Sequence, residues 1–177
     1  MILVYTGNGK GKTSAAMGGV FRALGHGWRV LVVQFVKGDW PIVFGEKVSA
    51  KRHPKLDFFQ LGQGFVSIMG DKKPRSAHRA AAMEALDFAA KKILSGRYDL
   101  VVLDEVIVVL DYQKRSGLVP LSSLLKLLKK APAKTHLILT GRNAHPKLVK
   151  AAHLVTEMKE VKHPYQKGVQ AAKGIDY

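Results

Sequence analysis

The 177-residue chain contains no cysteine. That excludes disulfides, thiolate metal sites and a cysteine nucleophile, and it fits a reducing compartment. Acidic residues are scarce too: 13 Asp and Glu stand against 29 Lys and Arg, a formal net charge of +16. Such a field attracts polyanions. The basic residues are scattered, however, as in Lys51-Arg52, Lys72-Lys73, Lys91-Lys92 and Lys129-Lys130, and no aromatic array interleaves with them. They read as solvated helix faces, which argues against a nucleic-acid partner. No apolar run approaches the roughly 18 residues of a membrane span. No signal pattern precedes the first apolar run, and the expectation is a soluble cytoplasmic chain without membrane insertion. The seven histidines fall into no H-x-x-x-H or H-E-x-x-H spacing, and no nucleophile-elbow motif occurs.

What is present starts at the N-terminus. The apolar run Ile2-Leu3-Val4-Tyr5 leads into Thr6-Gly7-Asn8-Gly9-Lys10-Gly11-Lys12-Thr13, and an Ala-rich helical pattern follows from Ser14. Strand, glycine-rich turn, Gly-Lys-Thr and helix form the grammar of a phosphate-binding loop. Glycines let backbone N–H groups converge on phosphate oxygens, Lys12 adds a point charge, and the Thr13 hydroxyl suits Mg²⁺. The positive end of the helix dipole faces the same oxygens. The loop departs from G-x-x-x-x-G-K-[ST]: Thr6 stands where the first glycine belongs, Gly7 comes one residue late, and Lys10 is a second lysine.

Strands and helices alternate along the rest of the chain. A helix over 12–25 ends at Gly25-His26-Gly27, and the near-continuous apolar run Arg29–Val36 suits a parallel strand covered on both faces. Strands are expected at Leu56–Leu61, Tyr98–Leu103, Thr135–Thr140 and Leu154–Glu157, and helices at 76–95, Leu121–Lys130 and His145–Ala152. The stretches 37–54, 62–75 and 158–177 show the least regularity. Met17, Met69, Met83 and Met158 read as gap-filling residues, and Trp28 and Trp40 as residues packed at the surface, with a place for Trp40 in a ligand cover as the alternative. The pattern predicts a single α/β domain over residues 1–177: an open, mostly parallel sheet with helices on both faces, of the P-loop NTPase kind.

Leu100-Val101-Val102-Leu103 ends in Asp104-Glu105. The carboxyl end of a buried strand borders the ligand crevice of an open α/β sheet. A carboxylate there holds Mg²⁺ beside phosphates cradled by the loop. Glu105 is assigned the direct role, with Asp104 supporting Thr13 or a bound water. Up to this point an ATPase, a kinase and a nucleotidyl-type transferase all remain open.

Six co-linear motifs narrow the choice. They are Gly7–Thr13, Ala23-Leu24-Gly25-His26-Gly27, Val33-Gln34-Phe35-Val36-Lys37-Gly38, Asp99–Glu105, Thr140–Pro146 and the closing run from Thr156 to Tyr177. Together they resemble the P-loop type ATP:corrinoid adenosyltransferases, whose acceptors are cob(I)alamin and cob(I)yrinic acid a,c-diamide, over nearly the whole chain. The resemblance implies transfer of the 5′-deoxyadenosyl group of ATP to the cobalt of a Co(I) corrinoid, with release of triphosphate and with Mg²⁺ as cofactor. It implies that Gly7, Asn8, Gly9, Lys10, Gly11, Lys12, Thr13 and Ser14 hold the polyphosphate, and that Lys12 and Glu105 serve catalysis. By the resemblance, Thr13, Glu105 and Asp104 would form the metal site and Arg142 a further anion contact. In that family the nucleotide lies reversed relative to P-loop hydrolases, presenting C5′ for attack.

By the same resemblance, Phe65 lies in a loop, Gly62–Gly70, over the corrinoid. An electron-donor protein such as a flavoprotein and a homodimer are implied, with lid contributions from a partner subunit because the chain opens on its first strand. Two positions depart from the family pattern: Ser67 replaces a tryptophan, and Ile107 an asparagine expected on the active face. They keep two alternatives in view: a non-catalytic relative that binds ATP or corrinoid, and a P-loop NTPase acting on nucleic acid.

Overall fold

The computed structural model describes residues 1–38, 42–64, 66, 70–112 and 117–177. Phe65, Ser67, Met69 and Trp40 lie outside the described residues. The described chain forms β1 (Ile2–Thr6), α1 (Lys12–Gly25), β2 (Val30–Gln34), α2 (Gly45–Ala50), β3 (Leu56–Gln60), α3 (Arg75–Leu94), β4 (Leu100–Asp104), α4 (Leu121–Lys130), β5 (His136–Thr140), α5 (Pro146–Ala151) and β6 (Leu154–Glu157). The six strands make one sheet in the order β3-β2-β4-β5-β1-β6, and every neighbouring pair is parallel. This is the open, parallel α/β sheet that the alternating pattern predicts.

Alternation along the strands sorts their side chains to two faces. Val30, Val32, Leu100, Val102 and Ile138 point to one, where Ala16, Val20 and Ala23 of α1 cover them. Leu31, Val33, Val101, Leu103, Leu137 and Leu139 point to the other, beneath α3, α4 and Leu148 of α5. The covering helices carry apolar residues at helical spacing: Ala82, Ala85, Leu86, Ala89 and Ile93 on α3, and Leu121, Leu124, Leu127 and Leu128 on α4. Strands β2 and β4 are buried at every residue, which explains their unbroken apolar runs.

Two elements fall in stretches that read as irregular. The short helix α2 starts after Phe44, and a 3₁₀ turn spans Pro164–Lys167. Neither is long enough to show an apolar period; α2 packs beside β3, whereas the 3₁₀ turn is exposed at every residue. Strand boundaries also shift: β4 runs to Asp104, one residue past the apolar run, because its ladder to β2 continues through Gln34 and Asp104. That extra residue places the Asp104 side chain within the sheet, and Glu105 just beyond it.

Candidate functional site

The carboxyl ends of the parallel strands all face one crevice, and the loop Gly7–Gly11 lies there at the end of β1. Its path depends on Gly7. That residue has φ +100°, and an added Cβ would come within 2.3 Å of the Met158 carbonyl oxygen. Only glycine combines this backbone angle with so close an approach. The Gly9 N–H donates to the Met158 carbonyl at 2.7 Å, which seats the loop on the chain leaving β6. Thr6, at the position where the usual loop has glycine, is buried, and its hydroxyl accepts from the Ala144 N–H at 3.0 Å. The side chain thus ties the end of β1 to the segment after β5.

Helix α1 begins at Lys12 with Gly11 as its N-cap, and no side chain caps its first turn. The free N–H groups of that turn are donors for an anion. Lys12 is 6% exposed, and its ammonium donates to the carbonyls of Gly7 at 2.8 Å and Gly9 at 2.5 Å. Burial pushes its pKa below the ordinary lysine value, Glu105 pulls it back up, Arg142 lowers it and Asp104 raises it. The carbonyl bonds hold the charge centred under the loop.

Behind Thr13 lies a satisfied polar network. Asp104 is fully buried. Its Oδ1 accepts from the hydroxyls of Thr13 at 2.8 Å and Thr140 at 2.7 Å, and its Oδ2 accepts from the Gln34 amide at 2.9 Å. The Gln34 amide also reaches Glu46 at 3.2 Å, while its carbonyl oxygen accepts from Gln60 at 2.8 Å. Lys37 pairs with Glu46 at 3.2 Å and stands 3.8 Å from Asp104 Oδ2. Here Asp104 orients Thr13 instead of facing the cavity.

Glu105 does face the cavity. Its backbone sits at φ +60°, a left-handed angle that is costly for a side chain with a Cβ. The Thr140 hydroxyl accepts its N–H at 2.8 Å and so fixes the turn. The Glu105 carboxyl has its pKa pushed up to about 7, first by desolvation and then by Asp104, against the pull of Lys12, Lys37 and Arg142.

The cavity measures about 640 Å³. Asn8, Gly9, Lys10, Gly11, Lys12, Thr13, Ser14, Glu105 and Arg142 all line it, whereas Gly7 and Asp104 stand behind its wall. Met17 also borders it, so this residue does more than fill a gap in the core. Lys37, Glu46 and the tail residues Gly174–Tyr177, to which the sequence assigns no role, also line the wall, as do Gly45, Glu160 and His163. For Lys37 and the tail the signal was in the motifs Val33–Gly38 and Lys173–Tyr177, whereas Glu46 lies in the irregular stretch 37–54 and carries no local signal.

Ile107 requires a correction. It is fully buried, and its Cβ lies 2.7 Å from where a side chain on Gly141 would begin. An isoleucine there packs the core beneath Gly141 and does not stand on the active face.

The oxygen donors present suit a hard cation. Thr13 and Glu105 both line the cavity, and among the described residues no group of three or more His, Cys, Asp or Glu is close enough to hold a metal alone.

A parallel sheet with a glycine loop at the end of β1, an uncapped helix, and a carboxylate pair at the end of β4 defines a P-loop nucleotide-binding protein. The chain belongs to the ATP:corrinoid adenosyltransferase family BtuR/CobO/CobP, whose model matches residues 1–177. It is 38% identical to the corrinoid adenosyltransferase of Escherichia coli K12, over all of this chain and 85% of that one. It is 39% identical to the corrinoid adenosyltransferase of Pseudomonas aeruginosa, over all of this chain and 83% of the relative. Among solved structures, a KaiC-like protein from Pyrococcus horikoshii shares the fold, with a TM-score of 0.53 and 16% identity over 91% of this chain and 74% of that one.

Proposed function

We propose that this chain transfers the 5′-deoxyadenosyl group of ATP to the cobalt of a reduced corrinoid. The observation that carries the reading is a glycine loop running into an uncapped helix, with Lys12 buried beneath the loop, in a chain that belongs to this family along its whole length. In the reaction the Co(I) electron pair attacks the ribose C5′, the cobalt–carbon bond forms, and the C5′–O bond breaks. Both electrons of that bond leave with the triphosphate. Because the leaving group is a polyanion, the protein's task is to hold and stabilise it.

The loop N–H groups and the first turn of α1 bind the phosphates. Lys12 supplies positive charge beneath the loop, and Arg142 is a further cation lining the same cavity. Thr13 and Glu105 would hold Mg²⁺, which would supply positive charge against the phosphates, and Asp104 fixes the Thr13 hydroxyl. The reading includes a homodimer, for which the exposed edge strand β6, with Leu154 47% and Val155 38% exposed, offers an apolar surface. It also includes a cytoplasmic setting and an electron-donor protein; no helix among the described residues is long and apolar enough to cross a membrane.

Anaerobic incubation with ATP, Mg²⁺ and chemically reduced Co(I) corrinoid tests the proposal. The expected result is a new cobalt–carbon absorption spectrum with stoichiometric triphosphate. ATP binding without either product, or orthophosphate release stimulated by nucleic acid, would overturn it.

A further inference from the structure

The phosphate loop carries two lysines, and the fold treats them in opposite ways. Lys12 is buried with both neighbouring carbonyls as partners. Lys10 turns instead to the chain's last residues, where it pairs with Asp176 Oδ1, and the two side chains are 44% and 26% exposed. The Asp176 carboxylate is itself fixed. Its Oδ2 accepts the Ala172 N–H at 2.7 Å, its own N–H donates to the Ala172 carbonyl at 2.8 Å, and the Gly174 N–H donates to the Tyr177 carbonyl at 2.8 Å. This compact turn lies on the cavity wall, with Gly174, Ile175, Asp176 and Tyr177 all lining it.

A carboxylate presented by a closed turn to a lysine of a phosphate cradle occupies the place of an anionic ligand. We propose that Asp176 is a positioning residue for Lys10. It holds this lysine at the wall while the cradle is empty and yields it to the polyphosphate, so that carboxylate and phosphate compete for one cation. The inference rests on the reading that the loop binds the polyphosphate of ATP. It adds a role for the closing motif: reclaiming Lys10 weakens the hold on the triphosphate product, which otherwise leaves a site lined by Lys12, Lys37 and Arg142. The exposure of the pair makes the exchange cheap, because an ion pair in contact with water is stabilised only weakly.

Calorimetric titration of the full chain with inorganic triphosphate, without corrinoid, tests this. Asp176→Asn keeps an oxygen to accept the Ala172 N–H and removes only the charge. The expected result is triphosphate binding roughly two- to five-fold tighter than in the unsubstituted chain. In a Lys10→Ala background the same substitution is expected to change affinity less than about two-fold, because the competition needs the lysine. Unchanged or weaker binding in Asp176→Asn would overturn the proposal. So would tightening that persists without Lys10, since that is only an effect of net charge. Failure of the unsubstituted chain to bind triphosphate would remove the polyphosphate reading and this inference together. Binding without tightening removes this inference alone.

Discussion

Asp104 and Asp176 each hold a side chain of the phosphate loop, but from opposite surroundings. Asp104 sits at the end of a central strand, fully buried, with three hydrogen bonds from Thr13, Thr140 and Gln34. Asp176 sits in the last turn of the chain, a quarter exposed, with Lys10 as its charged partner. A buried carboxylate with both oxygens hydrogen-bonded is expensive to disturb, so it fixes geometry. An exposed ion pair exchanges partners with little penalty, so it suits a group that must let go. The floor of the cavity is therefore preorganised and its outer wall exchangeable.

The sharpest way to break this contrast is Lys12→Ala, which removes the charge the floor is built around. ATP affinity is expected to fall by roughly 100-fold or more, on the scale of charge-assisted bonds to phosphate. The fold should survive, because the residue packs no core. Calorimetry with Mg-ATP and a far-ultraviolet melt check both halves, and retained affinity would show that the loop amides suffice.

Gln34→Leu strikes the network from behind. It leaves Asp104 Oδ2 without its amide donor and Gln60 without an acceptor. A loss of about 2 kcal/mol is expected, some 4–8 °C in melting temperature. Asp176→Asn should move the same melt by no more than about 2 °C. Equal shifts in the two variants would erase the distinction between floor and wall.

Glu105 gives the contrast a pH dependence. Its carboxyl is held at about 7 in the folded chain against an ordinary value of 4.5. Between those values the folded state carries the extra proton, so stability falls as pH rises through the window, and the full cost stands above about 7. Glu105→Gln lacks this cost. In metal-free protein the variant should gain on the unsubstituted chain by a few degrees between pH 5 and 8, at roughly 2–4 °C per kcal/mol. A gap that is constant with pH would mean that the carboxyl is ionised throughout.

The smallest expected effect is on salt. Raising ionic strength from about 0.05 to 0.5 M shortens the Debye length and weakens the exposed Lys10–Asp176 pair. The advantage of Asp176→Asn in triphosphate binding should shrink toward none, while the floor network is insensitive. An advantage that grows with salt would contradict an electrostatic competition.

Much of this molecule is legible in its residues. The run Ile2–Tyr5 followed by Gly7–Thr13 identifies a strand, a loop and a helix start because each step is dictated locally: apolar alternatives are absent, glycines permit the turn, and Lys-Thr opens the helix. Asp104-Glu105 announces itself by interrupting an apolar run. Harder to read were the residues whose role depends on distant partners. Gln34 looks like a stray polar residue in a strand until Asp104, Glu46 and Gln60 surround it. Ile107 looks like a change on the active face until Gly141 is seen resting on it.

Taken alone, the sequence determined the alternation of elements, the phosphate loop and the carboxylate pair, since these follow from periodicity, glycine placement and charge within a few residues. Only the tertiary structure decided that Asp104 faces Thr13 while Glu105 faces the cavity, because one residue of strand pairing with Gln34 sets which side chain points where. It also brought residue 176 beside residue 10, a contact across 166 positions that no local pattern encodes.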